Sequence, residues 1–370
     1  MSGRIAILGT VGVPANYGGF ETLAENLVAF HEDQNVAVDL TVYCSAKGFD
    51  QHLPTYRRAE LRYIGFDANG IQSIPYDIVC LLDAVRSGHD RLLLLGVSGA
   101  ILLPLLRLVT KAKIITNIDG IEWQREKWRG LAKYYLRFAE WAAVRFSHRV
   151  IADNQAIADY VEKTYGLRAE VIPYGGDHAI EAAPDEAATD RLPKGYALAL
   201  CRIEPENNIA MILEAFDTLE MPLVFVGNWD KSEYGRSLKA RYANHPTITI
   251  HEPVYEAHSL RAIRDGAALY VHGHSAGGTN PSLVEMMHFD IPVAAHGCSF
   301  NCHTTEGKAL YFESAAELRD RVAEITPVQA EAQGSDLSIG MGAAMGEIAR
   351  RRYTWEQIGR SYFELLEQQT

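Results

Sequence analysis

"AILGTVGVPANYGGFETLAENL", residues 6–27, decides how this chain is read. A short apolar run, Ile5–Leu8, meets four glycines and a proline and then an amphipathic segment. That order predicts a strand, a turn able to meet phosphate, and a helix. A dinucleotide fold needs G-x-G-x-x-G directly after its first strand and, roughly 20 residues later, an acid for the ribose. Gly9, Gly12, Gly18 and Gly19 do not have that spacing, and the apolar run Leu40–Tyr43 ends in "CSA". The nicotinamide reading fails on both counts. What remains is a longer loop whose Gly18 and Gly19 precede a helix starting near Phe20 or Glu21. Backbone N–H groups at such a helix start suit a diphosphate or sugar hydroxyls.

Outward from this loop, short β-type runs alternate with amphipathic stretches. Strands are expected at Ile5–Leu8, Leu40–Tyr43, Leu61–Ile64, Leu92–Leu95, Ile114–Asn117, Val150–Ala152 and Ala169–Ile172, with helices such as 22–34 and 130–145 between them. This alternation predicts a parallel sheet covered on both faces. Residues 176–195, rich in Gly, Ala, Pro and acid, read as a linker. The pattern then restarts at Tyr196–Leu200, Leu223–Val226, Ile248–His251, Leu269–His272 and Pro292–Ala295. The expected fold is α/β, two doubly wound Rossmann-like domains: 1–175 with about 354–370, and 196–353. Such sheets bind ligands at the carboxyl ends of their strands.

The 370 residues suit two domains, and a net charge of −12 argues against nucleic acid as a partner. Five scattered cysteines fit a reducing, cytoplasmic setting. The apolar stretch 91–109 approaches the length of a membrane span, but Gly96, Gly99, Pro104 and Arg107 interrupt it. A buried strand, a turn and a helix fit it better.

Three further motifs follow predicted strands. In "CRIEPENN", 201–208, Arg202 is placed to meet phosphate with a bidentate fork. In "HGHSAGGTNPSLVEMM", 272–287, Gly277 and Gly278 lead to Thr279 or Asn280 as a cap and Pro281 at the first helical position. The positive end of that helix, through Ser282, would face a diphosphate, and Glu285 one turn in would take a ribose hydroxyl. His272 and His274 have no carboxylate or thiolate at ligand spacing, so no metal site is expected. In "NIDGIEWQREKW", 117–128, Asp119 ends a strand where it can orient or deprotonate a hydroxyl. Glu122 is the second candidate, and a simple turn cap is the bland reading of Asp119.

Taken in order, "GVPANYGGFETL", "NIDGIEWQREKW", "RIEPENN" and "HGHSAGGTNPSLVEMM" resemble family 4 retaining glycosyltransferases of the GT-B fold. More narrowly, they are similar to the bacterial rhamnosyltransferase-type subfamily that builds surface polysaccharides. The resemblance covers essentially the whole chain. It implies two domains facing a central cleft, the first for acceptor and the second for a nucleotide-sugar donor, with a C-terminal helix crossing back to the first. It departs from the broad family pattern at two positions: Asn207 stands where a lysine is usual and Gly277 where a glutamate is usual.

The resemblance implies transfer of a sugar, L-rhamnose from dTDP-rhamnose, to a lipid-linked saccharide, with retention and no cofactor beyond the nucleotide-diphosphate sugar. Catalytic roles fall to Asp119 and Arg202. The donor set is Gly18, Gly19, Asn207, Val254, Gly278, Thr279, Asn280, Pro281, Ser282 and Glu285, and the acceptor set is Tyr17, Glu21, Glu122 and Trp123. From Gln124 to Arg149 there are seven Lys or Arg against two acids, with Trp128, Tyr134, Tyr135, Phe138 and Trp141 interleaved. On an acidic chain this suggests contact with anionic lipid at the inner face of the cell membrane. A solvated helix with inward aromatics is the alternative for that stretch. For the whole chain the alternatives are a transferase using another donor, a sugar-nucleotide epimerase, and a non-catalytic partner of a glycosyltransferase complex.

Overall fold

The computed structural model describes residues 3–15, 18–124, 130–325 and 337–368. The chain divides into two compact units, one of residues 1–173 with 355–370 and one of residues 174–354.

The first unit is built on one sheet, with eight strands among the described residues: β1 (Gly3–Leu8), β2 (Val38–Ser45), β3 (Thr55–Tyr56), β4 (Ala59–Ile64), β5 (Arg91–Leu95), β6 (Lys113–Asn117), β7 (Arg149–Ala152) and β8 (Glu170–Val171). Their order is β3-β4-β2-β1-β5-β6-β7-β8. Every pairing is parallel except β3 with β4. The central strands read as unbroken apolar runs because parallel strands are covered on both faces: Ile5–Leu8 and Leu92–Leu95 are all buried. Strand order reverses at β1, which pairs with β2 on one side and β5 on the other. In open α/β sheets that switch point is where ligands sit. The loops leaving β1 and β5 therefore flank the first unit's natural site.

The second unit repeats the plan with β9 (Tyr196–Leu200), β10 (Leu223–Val226), β11 (Ile248–His251), β12 (Ala267–His272), β13 (Val293–His296) and β14 (Leu310–Phe312). The order is β11-β10-β9-β12-β13-β14, parallel throughout. The switch point lies between β9 and β12, so the loops 201–208 and 273–280 face one another there. The helix Ile209–Phe216 buries Ile209, Ile212, Leu213 and Phe216 against the sheet, the i, i+3, i+4, i+7 stripe seen in its sequence.

Two sequence expectations change, and residues 91–109 follow the strand, turn and helix expected of them. Residues 176–195 are not a free linker but a strap packed on the second unit. Short 3₁₀ turns form at Asp177–Ile180 and Glu186–Thr189. Gly176 donates its N–H to Tyr353 O at 2.8 Å, and Asp185 donates to His258 O at 3.0 Å. Glycine, alanine, proline and acid suit either role, so composition alone could not separate them. Strands β3 and β14 had no sequence signal, being two and three residues long. Residues 91–109 form β5, a 3₁₀ turn at Ala100–Leu102 and a helix at Leu103–Val109. Among the described residues no helix is long and apolar enough to cross a membrane.

The helix Trp355–Glu367 returns to the first unit. Phe363 stacks on Phe30 at 5.6 Å between ring centroids. Asn117 Nδ2, at the end of β6, donates to Tyr362 Oη at 2.7 Å. The last helix thereby braces the strand end that carries Asp119.

Candidate active site

In the first unit, Glu21 shapes the loop after β1. Its carboxylate accepts from Thr10 Oγ1 at 3.0 Å and from the Val11 N–H at 2.8 Å. Gly18 has φ +129°, a conformation that favours glycine, and a Cβ there would also push the folded-back Glu21 carboxylate from its place. The helix Gly19–Asp33 has no side-chain N-cap, and Glu21 lies in its first turn. A negative group already sits at this positive helix end. A diphosphate would meet Glu21 here, whereas neutral hydroxyls would not be repelled. Tyr17 lies outside the described residues, as does Trp128.

At the end of β6, buried Asn117 uses both ends of its amide. Nδ2 binds Tyr362, and Oδ1 accepts the Asp119 N–H at 2.9 Å. Asp119 is exposed and left-handed at φ +58°, a conformation that non-glycine residues adopt rarely and that gathers at functional sites. Glu122 and Trp123 follow on a 3₁₀ turn and are half-buried. Lys133 Nζ and the Arg137 guanidinium each lie 5.4 Å from the Trp123 ring centroid.

In the second unit the loops after β9 and β12 are joined. Ser275 donates its N–H to Glu206 O at 3.1 Å, and Asn208 Nδ2 donates to Gly273 O at 2.8 Å. Arg202 is exposed on the first loop, within 3.8 Å of Glu204 Oε2 and 4.0 Å of Glu206 Oε1. Asn207 is buried, and its Nδ2 donates to Arg202 O at 2.6 Å. Its Oδ1 lies 2.6 Å from His274 Nδ1. The Asn207 side chain is thus built into the loop, and it reaches a ligand only through what it holds.

Asn280 caps the helix Pro281–Met287. Its Oδ1 accepts from the Ser282 N–H at 3.1 Å and from Ser282 Oγ at 2.8 Å. Both Ser282 donors are committed, although the sequence reading offered that residue to a ligand. Ser282 Oγ also accepts from Tyr270 Oη at 3.0 Å. Thr279 is buried, while Gly278 and Pro281 are half-buried at the same turn. Val254 lies past β11, where it lines a shallow cavity of about 380 Å³ with Tyr255 and Glu256.

Glu285 is held on two sides. Arg264 holds it in a buried ion pair, and His178 Nε2 lies 3.4 Å from Oε1. Burial alone would raise its carboxyl, but Arg264 and His178 outweigh that and bring it down to about 2. Arg264 and His178 were absent from the sequence reading. They come from a helix far along the chain and from the presumed linker, so no local spacing points to them.

His274 is a second residue whose place in the site its sequence spacing does not reveal. Among the described residues no group of three or more His, Cys, Asp or Glu is arranged to hold a metal ion. Gly277 has φ +128°, and a Cβ there would come within 2.8 Å of His274 Nε2. His274 therefore bonds to Asn207 through Nδ1 and through Nε2 crowds the space a side chain at Gly277 would need, the two positions at which the chain departs from the pattern it resembles. The usable signal was the two departures themselves, which flank one histidine.

Residues 3–177 match a family model described as a domain of unknown function (DUF1972). No curated protein matches the chain. Among solved structures, sucrose-phosphate synthase from Thermosynechococcus elongatus aligns with a TM-score of 0.80 at 14% identity, over 98% of this chain and 98% of that one. HepE from Anabaena, in complex with UDP-glucose, aligns at 0.69 and 14%, over 98% and 99%. The α,α-trehalose 6-phosphate synthase of Burkholderia multivorans aligns at 0.69 and 11%, over 99% and 96%. The chain shares with them the α/β fold of GT-B glycosyltransferases, two parallel-sheet Rossmann-like domains.

Proposed function

We propose that this chain is a retaining glycosyltransferase that moves L-rhamnose from dTDP-rhamnose to a lipid-linked saccharide in bacterial surface polysaccharide synthesis. The observation that carries the reading is the second unit's switch point. There, exposed Arg202 and the Gly277–Gly278 turn lie on loops that leave neighbouring strands, and the charge-locked Glu285 lies on the helix that follows the turn. The HepE structure solved with UDP-glucose supports a nucleotide-sugar donor on this fold.

In the proposed reaction the bond between sugar C1 and the diphosphate oxygen breaks, and the acceptor oxygen bonds to C1 on the same face. The acceptor proton passes to a diphosphate oxygen. Arg202 and the backbone N–H groups of the 278–280 turn stabilise the negative charge of the departing diphosphate, the kind of interaction that dominates many enzymes. Glu285, kept ionised, accepts the 3′-hydroxyl of the deoxyribose. His274 joins this donor set, held by Asn207. On the first unit, Asp119 orients the attacking hydroxyl, and Gly18, Gly19, Glu122 and Trp123 contact the acceptor. Glu21 shapes that loop. Residues 124–149 bring this unit to an anionic membrane on its cytoplasmic face.

The test is incubation of the purified protein with a panel of nucleotide sugars and a GlcNAc diphosphate lipid mimic. Transfer of rhamnose from the dTDP donor, with the anomeric configuration kept by NMR and undiminished by chelator, is expected. No transfer from any donor in the panel would sink the enzyme reading, and binding to a separate transferase would then favour the non-catalytic alternative. Transfer that disappears in chelator and returns with a divalent ion would remove the metal-independent mechanism.

A further inference from the structure

Half of the fourteen exposed large apolar side chains among the described residues lie on two packed helices of the first unit. On Leu103–Val109 they are Leu105, Leu108 (83% exposed) and Val109. On Leu131–Phe146 they are Leu131 (87% exposed), Tyr134, Phe138 and Trp141, spaced three, four and three residues apart along one side of the helix. Arg107 reaches His148 just past the second helix and ties the two together. Tyr134, Phe138 and Trp141 therefore point outward, while Tyr135 turns inward and donates to Ser98 O at 2.5 Å, and a segment resembling an interrupted membrane span adds a second apolar stripe beside them. Contiguous apolar surface of this kind marks an interaction site.

The two stretches that build it carry mostly one sign of charge, with Arg149 paired to Glu170 at 3.3 Å. Residues 101–113 and 131–149 carry seven Lys or Arg and a single acid, Glu140, on a chain of net −12. Glu140 is buried, and it accepts from Tyr160 Oη at 2.7 Å and Tyr165 Oη at 2.5 Å. Beside Trp141 and Tyr165 lies an open groove of about 560 Å³ whose charged walls are Arg137 and Arg145. A second copy of this chain docked two-fold on the same face would set these cations against each other. A bilayer surface bearing phosphate headgroups is complementary to both features, cations at the headgroups and apolar side chains at the acyl boundary.

We propose that the helices 103–109 and 131–146 form one docking face for an anionic lipid bilayer, with Arg137 and Arg145 meeting lipid phosphate. Arg137 also lies over Trp123, so the face is coupled to the loop that carries Asp119. The proposal deepens the reading of a lipid-linked acceptor and rests on it for its purpose, but not for its test.

The test is sedimentation of the full chain with vesicles of phosphatidylglycerol and phosphatidylcholine, against phosphatidylcholine alone, across a salt series. Binding to the anionic vesicles only, weakened by salt, is expected. The paired change Leu108→Glu with Leu131→Glu, and separately Arg145→Glu, should each weaken binding about tenfold or more. Thermal melting reports whether the variants fold, and the salt and lipid dependence of the unaltered chain stands without them. The proposal is overturned by no binding to anionic vesicles, by equal binding to neutral ones, or by binding that folded variants keep. It is overturned equally by a dimer that Leu108→Glu dissociates in the absence of vesicle binding. No sugar is transferred in this assay, so its failure leaves the donor reading intact, and failed transfer leaves this result standing.

Discussion

His274 Nδ1 lies 2.6 Å from Asn207 Oδ1, and Asn207 Nδ2 lies 2.6 Å from the carbonyl oxygen of Arg202. One buried amide thus fixes both the histidine under the Gly277 turn and the backbone of the exposed arginine. Asn207→Leu keeps the volume roughly but leaves the imidazole nitrogen and the Arg202 carbonyl without that partner. The expected cost is about 1–3 kcal/mol in denaturant unfolding, with weaker dTDP binding by calorimetry. Asn207→Lys introduces the residue of the pattern the sequence resembles, yet it places an ammonium in a buried slot whose partners suit an amide. It should destabilise the chain more than Asn207→Leu and gain no nucleotide affinity. Tighter dTDP binding by the lysine variant would contradict the structural role given to Asn207.

Gly277 follows from the same histidine. Its φ of +128° is strained for any side chain, and the missing Cβ would crowd His274 Nε2 at 2.8 Å. Gly277→Glu therefore does not recover the usual glutamate contact. It should lower the melting temperature by several degrees, about 1–3 kcal/mol, and reduce transfer. Gly277→Ala should show most of the stability loss, because the backbone angle causes it.

Glu285 and Arg264 form a buried pair whose two members should fail differently alone and together. Arg264→Met leaves the carboxylate facing only His178, and a loss of about 3–5 kcal/mol is expected. Arg264→Met with Glu285→Leu removes both charges and should recover much of that stability while leaving nucleotide binding poor. The pH dependence has a definite sign. The folded carboxyl is depressed to about 2 from an ordinary 4.5. Its contribution is therefore present above pH 4.5 and lost as the pH falls towards 2. Urea unfolding between pH 5 and 2 should show a steeper slope for the native chain than for the double variant, which keeps the share of other depressed acids such as Asp83 and Glu306.

The fold was legible wherever parallel strands are buried on both faces. "IAIL", "LLLL" and "YALAL" could hardly be anything else between amphipathic segments, and glycine-rich loops after β1 and β12 marked both switch points. The motifs named the right loops. What they could not name were partners supplied from a distance: Arg264 and His178 on Glu285, Tyr362 behind Asn117, and His274 between two unusual positions. Nor could they tell which polar side chains a loop spends on itself. Asn207, Ser282 and Glu21 look ready for a ligand in sequence, but each has its donors or acceptors committed to nearby backbone and side-chain groups.

Asp119 offers the sharpest separation of chemistry from structure. Its left-handed backbone is one that asparagine also tolerates, and its N–H is held by Asn117 Oδ1 whatever its own side chain is. Asp119→Asn should therefore leave the unfolding free energy within about 0.5 kcal/mol of the native value. It removes only the negative charge, so a role in orienting or deprotonating the acceptor hydroxyl predicts a fall in kcat of about 10²-fold or more, with donor KM unchanged. Asp119→Ala gives up the side chain that suits the left-handed position and should cost about 1 kcal/mol as well. The two variants together decide the assignment. If both lose stability and neither loses kcat beyond that loss, Asp119 is a turn residue. If Asp119→Asn is fully stable and nearly inactive, the carboxylate acts on the acceptor.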